Sequence, residues 1–172
     1  MPEPARICES SHHPAETREG KYLTFHLDKE GYGIGIRKIK EIIGMMTITP
    51  VPRTPECVKG VINLRGKVIP VIDLRLKFGM AELGYTDRTC IIVVEVEGDS
   101  GTLLVGILVD SVSEVLNIKG GYIEDSPAFG TGVSTDYISG MAKTEGGVKI
   151  LLDIDRVLHR EEMGTAEVDV GS

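Results

Sequence analysis

The sequence predicts an all-β fold, and three observations support this prediction. Short runs of apolar or alternating residues recur along the chain, 21 glycines separate them, and only two stretches have the pattern of a helix. Many short strands separated by glycines are typical of sandwiches and barrels. With 172 residues, the chain is long enough for one domain or two very small ones.

Strands are predicted where runs of β-forming residues are bounded by turn residues. The predicted strands are residues 22–27, 32–36, 67–72, 90–96, 102–109 and 147–152. The first two form one hairpin, and the strands at 90–96 and 102–109 form another. Pro70 interrupts the strand at 67–72, and a proline cannot donate to a β-ladder. We therefore expect that strand to lie at a sheet edge or to carry a bulge.

Helix is predicted only in short pieces. Residues 54–59 form one candidate, because Pro55 suits the first turn of a helix. Residues 154–159 form the other, with Asp153 placed to cap its amino end.

The chain contains an internal repeat. Residues 33–43 align with 106–116, and residues 60–73 align with 140–153, in the same order and without internal gaps. We interpret this as two copies of one β unit, at about residues 20–86 and 88–160. The second copy is longer by seven residues, which we place between 120 and 132.

Residues that both copies keep are predicted to be structural. The kept residues include the pairs Gly33/Gly106, Gly60/Gly140 and Asp73/Asp153. We expect the glycines to lie where a Cβ would clash or strain the backbone, and the aspartates to cap the turns after their strands. Residues that differ between the copies are better candidates for function.

The charge is divided between the two halves. The net charge is -7, yet residues 21–80 carry eleven basic and five acidic side chains, and residues 81–172 carry six basic and seventeen acidic ones. The reversal occurs at equivalent positions of the repeat, where Arg65 in the first copy corresponds to Glu145 in the second. Unlike surfaces suit a protein that binds different partners.

The composition argues against catalysis, a cofactor or a metal. No Walker loop, no G-x-S-x-G, no H-E-x-x-H and no dinucleotide fingerprint is present. Cys8, Cys57 and Cys90 are too scattered for a disulfide framework or a zinc site, which favours reduced thiols in the cytoplasm. An enzyme using His26 or Asp73 remains an alternative hypothesis. The prediction is a binding protein.

The same composition bears on membranes, tails and nucleic acid. No apolar run reaches the roughly 18 residues of a membrane helix, and residues 1–19 lack a signal-peptide pattern. We predict that residues 1–19 are a disordered tail and that residues 161–172 are a flexible acidic end. A β-barrel that binds nucleic acid through the basic half is an alternative. It is disfavoured by the absence of Trp, the few aromatic residues and the acidic second half.

Residues 58–75, VKGVINLRGKVIPVIDLR, resemble the signature of the CheW family of chemotaxis coupling proteins. Residues 32–41, 105–110 and 134–140 agree with this, and the similarity extends over about 19–160. The resemblance implies two small five-stranded SH3-like β-barrels around a shared apolar core, with short helices. Barrels of this family exchange strands, so the halves of the sequence need not coincide with the barrels.

The resemblance also implies a noncatalytic adaptor in the cytoplasm, held at membrane receptor arrays by its partners. Those partners would be the cytoplasmic tip of a chemoreceptor and the C-terminal regulatory domain of the histidine kinase CheA, with no insertion into the membrane. An adaptor of a related pathway with a non-flagellar output is the alternative within the family.

Specific positions follow from the resemblance. The receptor groove would use Ile39 as apolar floor and Glu41 and Arg65 as charged clamps, with Gly60 and Asn63 shaping its wall. The alternative is that Arg65 and Glu41 form only a structural ion pair.

The kinase contact is implied in the loop at residues 121–129. Glu124 and Phe129 are its candidate residues, although some relatives carry Arg where this chain has Glu124. For Phe129, a place in the core is the alternative.

Overall fold

The computed structural model describes residues 19–81, 84–98, 101–125 and 137–158. Nearly all of the predicted tail and the whole acidic end lie outside these ranges, and so does Phe129. The described residues form strands for most of their length, together with two helices of four residues each.

The strands are β1 (Gly20–Leu27), β2 (Glu30–Gly35), β3 (Ile39–Gly44), β4 (Val58–Leu64), β5 (Lys67–Asp73), β6 (Cys90–Gly98), β7 (Gly101–Val109), β8 (Ser111–Ile118), β9 (Ile123–Glu124), β10 (Ile138–Thr144) and β11 (Gly147–Leu152). The helices are α1 (Leu74–Lys77) and α2 (Ile154–Val157), and 3₁₀ turns cover Ile36–Lys38 and Gly120–Tyr122. All six predicted strands are confirmed. The prediction of a helix at 54–59 is wrong, because Cys57 and Val58 enter the buried core and Val58 begins β4.

Two sheets make up the fold. The first has the order β8-β1-β2-β11-β10-β9 and the second has the order β3-β6-β7-β5-β4. Each sheet joins the opening hairpin of one copy to the remaining strands of the other copy. The first sheet contains β1 and β2 with strands of the second copy, and the second sheet contains β6 and β7 with β3, β4 and β5. The two copies predicted from the sequence therefore exchange strands.

Short links explain the exchange. Three residues join β2 to β3, and Asp110 alone joins β7 to β8. If β3 stayed beside β1 in the position that β8 occupies, it would run parallel to β2. Parallel strands need a crossover of about a dozen residues or more. The chain therefore continues from each of these strands into the other sheet.

The shared glycines lie where the two copies meet. In the parallel ladder between β2 and β11, Gly33 is opposite Leu151, and in the ladder between β7 and β5, Gly106 is opposite Val71. A Cβ on Gly33 would lie 2.9 Å from Leu151 Cδ2, and a Cβ on Gly106 would lie 2.8 Å from Ile91 Cγ2. Both glycines therefore permit a close approach of side chains from a neighbouring strand.

The shared aspartates cap the two helices, as predicted. Asp73 Oδ1 accepts a hydrogen bond from the backbone N–H of Arg75 at 2.9 Å, and Asp153 Oδ1 accepts one from the backbone N–H of Asp155 at 3.2 Å. The Asp73 side chain is buried in this role. This local function accounts for the acidic residue that was considered as a catalytic group.

The largest apolar cluster lies between the two sheets and includes residues of both, among them Phe25, Ile34, Ile72, Ile92 and Ile107. A smaller cluster lies on the opposite face of each sheet. The shared core is thus confirmed, but the two β subdomains differ from the expected pair of five-stranded barrels. The first sheet has six strands because the two-residue β9 joins β10.

Within the described ranges, the ladders do not close either sheet into a barrel. The second sheet comes near to closure, because Thr49, in the segment after β3, forms a two-hydrogen-bond bridge with Val61 of β4.

Pro70 lies inside the second sheet, so the prediction of an edge position is wrong. β5 is flanked by β4 and β7. On the β4 side, Pro70 is opposite Val61, and the backbone N–H and C=O of Val61 form hydrogen bonds with Thr49 rather than with Pro70. On the other side, the ladder with β7 begins one residue later, at Val71. The missing N–H therefore falls where no ladder bond is needed.

Half of the eight aromatic side chains form one row in the main core. The ring centroids of Phe25 and Tyr32 are 5.8 Å apart, and the spacings from Tyr32 to Phe78 and from Phe78 to Tyr137 are each 5.9 Å. Burial raises the pKa of Tyr32 above its usual value of 10.0. These rings serve packing, which leaves them unavailable for stacking on nucleic-acid bases.

Candidate docking site

The two outer strands of the second sheet, β3 and β4, meet at an exposed ion pair. Nη2 of Arg65, in the turn after β4, donates a hydrogen bond to Oε1 of Glu41 in β3. The Arg65 side chain is 70% exposed and that of Glu41 is 32% exposed. This bond raises the pKa of Arg65 above its ordinary value, so the guanidinium stays charged. The structure thus brings together two of the predicted receptor residues.

Arg65 occupies an unusual backbone position. Arg65 and Gly66 are the two loop residues between Leu64 and Lys67, with φ angles of +53° and +88°. Positive φ at both loop residues defines a type I′ hairpin turn, where Asn and Gly are preferred. Asn63 supports the turn, since its Oδ1 accepts a hydrogen bond from Gly66 N at 2.9 Å. An arginine at this position is explained by its side chain rather than by the turn.

Gly60 lies at a bulge in β4, with φ +143°. A Cβ at this position would lie 2.1 Å from the carbonyl oxygen of Thr49. No side chain fits there, so the glycine allows the segment after β3 to run alongside β4. This segment holds β3 and its Glu41 close to the turn that carries Arg65.

Ile39 is half-buried, and its side chain supports β3 by packing against the main core. Two exposed apolar side chains lie close to Glu41 along the chain: Ile42 is 43% exposed and Ile36 is 36% exposed. Sequence reasoning missed both. The signal for Ile42 was the pair Ile42-Ile43, since neighbouring residues of a strand point to opposite faces and one of the two must point outward.

A cleft of about 420 Å³ opens at the junction of the two sheets. Its lining consists of His26, Arg88, Cys90, Ser111, Val112 and Ser113. Cys90 is paired with Gly44, the last residue of β3, so the cleft lies beyond Ile42 at the end of that strand. The cleft was not predicted, because its walls come from three separate parts of the sequence.

The candidate kinase residue Glu124 lies in the other sheet. Its Oε2 is 2.6 Å from Nζ of Lys143 in β10, and both side chains are exposed. Tyr122, just before β9, is also exposed. Phe129 lies outside the described residues. The structure therefore separates the receptor candidates in the second sheet from Glu124 in the first.

Neither a metal site nor a membrane-spanning helix is found in the part of the chain that the structure describes. No three His, Cys, Asp or Glu side chains there are grouped to hold a metal ion. No helix there is long and apolar enough to cross a bilayer.

Two sheets that share one apolar core, with short helices, define the class as a two-subdomain β protein. Residues 21–162 match the model of the CheW-like domain. The chain belongs to the CheW family.

Individual relatives agree with this assignment. The chain is 39% identical over 152 residues to the chemotaxis protein CheW of Klebsiella aerogenes, covering 88% of this chain and 89% of the relative. It is 33% identical to CheW of Rhizobium meliloti, covering 84% and 90%. The crystal structure of a CheW scaffolding protein from Thermoanaerobacter tengcongensis superposes with a TM-score of 0.74 at 37% identity, covering 82% of this chain and 93% of that one.

The chain is accordingly a noncatalytic scaffold protein of chemotaxis, as the sequence predicted.

Proposed function

We propose that this protein couples the cytoplasmic tips of chemoreceptors to the histidine kinase CheA, working in the cytoplasm at membrane receptor arrays. The observation that carries the proposal is the exposed Arg65–Glu41 pair, with the exposed Ile36 and Ile42 close to Glu41 along the chain. A receptor tip is a helical hairpin. A helix docking on a protein surface needs apolar contacts and a few charged groups that set its register, and this surface supplies both.

The residues of the proposed docking site have different roles. Ile36 and Ile42 supply the apolar surface that a helix would cover, and Arg65 and Glu41 supply the charged contacts. Ile39 is half-buried and packs against the main core, and the exposed part of its side chain supplies the apolar floor.

The alternative that the ion pair is only structural explains less. Exposed ion pairs contribute little to stability. Arg65 also occupies a backbone position that Asn or Gly would fill with less strain. A binding role accounts for an arginine at this site, because the partner would interact with its positive charge.

The test replaces Arg65 by a residue that suits the turn. Arg65→Asn creates the preferred Asn-Gly loop, so we expect an unchanged or higher melting temperature. We expect the affinity for a receptor-tip fragment to fall by about tenfold or more, measured by calorimetry. Lys67→Gln, which removes one positive charge from the same turn, is the matched control and should retain most of the affinity.

A charge-swapped variant separates the two explanations. The double variant Arg65→Glu, Glu41→Arg can re-form an intramolecular pair with opposite polarity. If the partner interacts with the positive charge at position 65 and the negative charge at position 41, this variant binds no better than Arg65→Asn. Full recovery of receptor binding in the swapped variant would show that the pair is structural and would reject the docking site.

We also propose that the kinase contacts Glu124, in the first sheet, together with Phe129. The location of Glu124 and Arg65 in different sheets supports this, because two partners can then bind at once. The test is Phe129→Ser with the CheA C-terminal domain, which should weaken binding while receptor binding is kept. Unchanged kinase binding would assign Phe129 to the core. Reconstitution completes the test, since kinase activity should depend on the receptor only when this protein is present.

A further inference from the structure

Residues 45–49 bring the second sheet near to closure. They follow β3 at one edge of the sheet and end at Thr49, which forms two backbone hydrogen bonds with Val61 of β4 at the other edge. The side chains of Met45 and Met46 are half-buried, and both pack against the smaller apolar cluster of this sheet. The two thioethers therefore lie in the segment that links the two edges.

Apolar contacts hold this segment between its two ends. Within the described ranges, no hydrogen bond joins residues 45–48 to another segment. Ile48 packs against the same cluster as Met45 and Met46. A sulfoxide is polar where a thioether is apolar, so an oxygen atom added to either sulfur favours contact with water over packing. The position of the segment therefore depends on the oxidation state of its methionines.

The second copy closes its sheet in a different way. The equivalent segment is 118–124, and it contains no methionine. Its aliphatic side chains Ile118 and Ile123 are buried, and the N–H of Tyr122 donates a hydrogen bond to the carbonyl of Lys119. The segment ends in β9, which pairs with β10. Oxidation of the closing segment itself is therefore possible only in the first copy.

We propose that Met45 and Met46 form an oxidation-sensitive site that controls the docking surface at Glu41 and Arg65. The inference rests on the proposed receptor function and adds its regulation by peroxides. With hydrogen peroxide, the thioether sulfur attacks one peroxide oxygen, an S–O bond forms as the O–O bond breaks, and the other oxygen leaves as water. The sulfur loses two electrons and the peroxide gains them.

Oxidation changes the geometry of the docking site. The sulfoxides leave the apolar cluster, the bridge between Thr49 and Val61 opens, and β3 is released from its place beside β4. Glu41 lies in β3 and Arg65 follows β4, so their hydrogen bond is lost and the two charges no longer have a fixed spacing. Enzymatic reduction of the sulfoxides restores the closed segment.

Hydrogen exchange measured by NMR tests the opening without any partner. The protein is treated with hydrogen peroxide, and mass spectrometry of its peptides identifies the sulfoxides. We expect the amides of Thr49 and Val61 to exchange at least tenfold faster after oxidation, and the ladder between β1 and β2 to exchange at an unchanged rate. Unchanged exchange at Thr49 and Val61 after both sulfoxides have formed would overturn the proposal. Resistance of Met45 and Met46 to a dose that oxidises them in urea would also overturn it.

Two double variants separate this site from the other sulfur atoms. Met45→Leu, Met46→Leu keeps the apolar packing, so its affinity for a receptor-tip fragment should not change with peroxide. Met80→Leu, Met141→Leu is the matched control, and its affinity should fall about tenfold with peroxide, as should that of the wild type. An equal loss in both variants would show that the effect arises elsewhere.

Reduction distinguishes the methionines from the cysteines. The two methionine sulfoxide reductases, one for each epimer, should restore the affinity of the oxidised wild type. A thiol reductant alone should not restore it, because a thiol reduces disulfides and sulfenic acids but leaves the sulfoxides. Full recovery with the thiol alone would assign the effect to cysteine and overturn the proposal.

The proposed function and the oxidation site fail in different ways. If the untreated protein binds the receptor tip and oxidation leaves this affinity unchanged, the docking site stands and the oxidation proposal is wrong. If oxidation opens the bridge between Thr49 and Val61 but the untreated protein does not bind the receptor tip, the proposed function itself fails.

Discussion

Nη1 of Arg75 lies 2.9 Å from Oδ2 of Asp110, and this ion pair joins the two sheets. Arg75 belongs to α1, after β5 of the second sheet, and Asp110 is the one-residue link into β8 of the first sheet. The same carboxylate binds the N–H of Asp28 in the β1–β2 turn. One aspartate therefore fixes three segments at the junction.

The repeat contains a second junction pair with reversed polarity. Asp155 of α2 is equivalent to Arg75, and its Oδ2 is 2.8 Å from Nζ of Lys38 in the link between β2 and β3. The other carboxylate oxygen of Asp155 accepts a hydrogen bond from the N–H of Glu97. Part of the charge reversal between the copies thus joins the sheets, whereas the sequence suggested only unlike surfaces for partners.

The two junction pairs should differ in their contribution to stability. The Arg75 side chain is only 8% exposed, so Arg75→Met leaves a partly buried carboxylate unpaired, and we expect a loss of about 3 kcal/mol. Lys38 and Asp155 are each about one-third exposed, and we expect Lys38→Met to cost less than about 1 kcal/mol. Urea unfolding of both variants measures the difference, and equal losses would contradict it.

Reversing the Arg75–Asp110 pair should restore only part of its contribution. In the double variant Arg75→Asp, Asp110→Arg, the ion pair can re-form, but the N–H of Asp28 loses its acceptor. We expect a stability between those of Arg75→Met and the wild type. Complete recovery in urea unfolding would show that the hydrogen bond to Asp28 contributes nothing.

Gly60 should tolerate no side chain. Gly60→Ala forces a Cβ towards the carbonyl of Thr49 at a left-handed φ, and we expect a loss of at least about 3 kcal/mol or a failure to fold. Gly35→Ala is the control, because Gly35 has φ -55° and open space around its Cα. Thermal unfolding checks both variants, and a well-folded Gly60→Ala protein would show that β4 and Thr49 can move apart.

Alkaline pH should destabilise the fold. Burial raises the pKa of the Cys57 thiol above 9.0 and that of Tyr32 above 10.0, so the folded protein keeps these protons when the unfolded chain has lost them. The stability is therefore complete below about pH 9 and falls as the pH rises. Urea unfolding between pH 8 and 11 measures this, and the double variant Cys57→Ala, Tyr32→Phe should show a weaker dependence. An equal slope in both proteins would contradict the assignment.

The thiols should differ in reactivity. Cys90 is half-exposed at the cleft and Cys57 is buried. In a Cys8→Ser background, a maleimide reagent should label Cys90 in the native protein and label Cys57 only after unfolding. Mass spectrometry of the labelled peptides distinguishes the sites, and fast labelling of Cys57 in the native protein would contradict its burial.

Local pattern was enough to predict a large part of the fold. Six of the eleven strands in the described residues, both hairpins and the caps at Asp73 and Asp153 were predicted from residues adjacent in sequence, and the structure has them. The strands β3, β4, β8, β9 and β10 were not predicted. The predicted helix at 54–59 failed because burial of Cys57 and Val58 overrode the local preference. The prediction that Pro70 lies at a sheet edge was wrong. Pro70 has no N–H, but it occupies a position in β5 where neither neighbouring strand needs an N–H donor.

The site was predictable to the extent that it lies in one motif. Asn63, Arg65 and Gly66 lie within four consecutive residues that form one turn, and the family resemblance added Glu41. The exposure of Ile42 had a local signal in the pair Ile42-Ile43, whereas the bulge between Ile39 and Glu41 made the facing of the earlier residues of β3 unpredictable. The cleft was missed because Arg88 and Ser111 are distant in sequence and meet only where the sheets join.

The sequence by itself determined an all-β chain with a duplicated unit, since hydrophobic periodicity and turn residues are local properties. Only the tertiary structure decided that each sheet takes strands from both copies, because this depends on links too short to return within one sheet. It also decided how opposite charges are used. At Arg75 and Asp110 they join the sheets, and at Arg65 and Glu41 they face solvent, because burial differs between the two places.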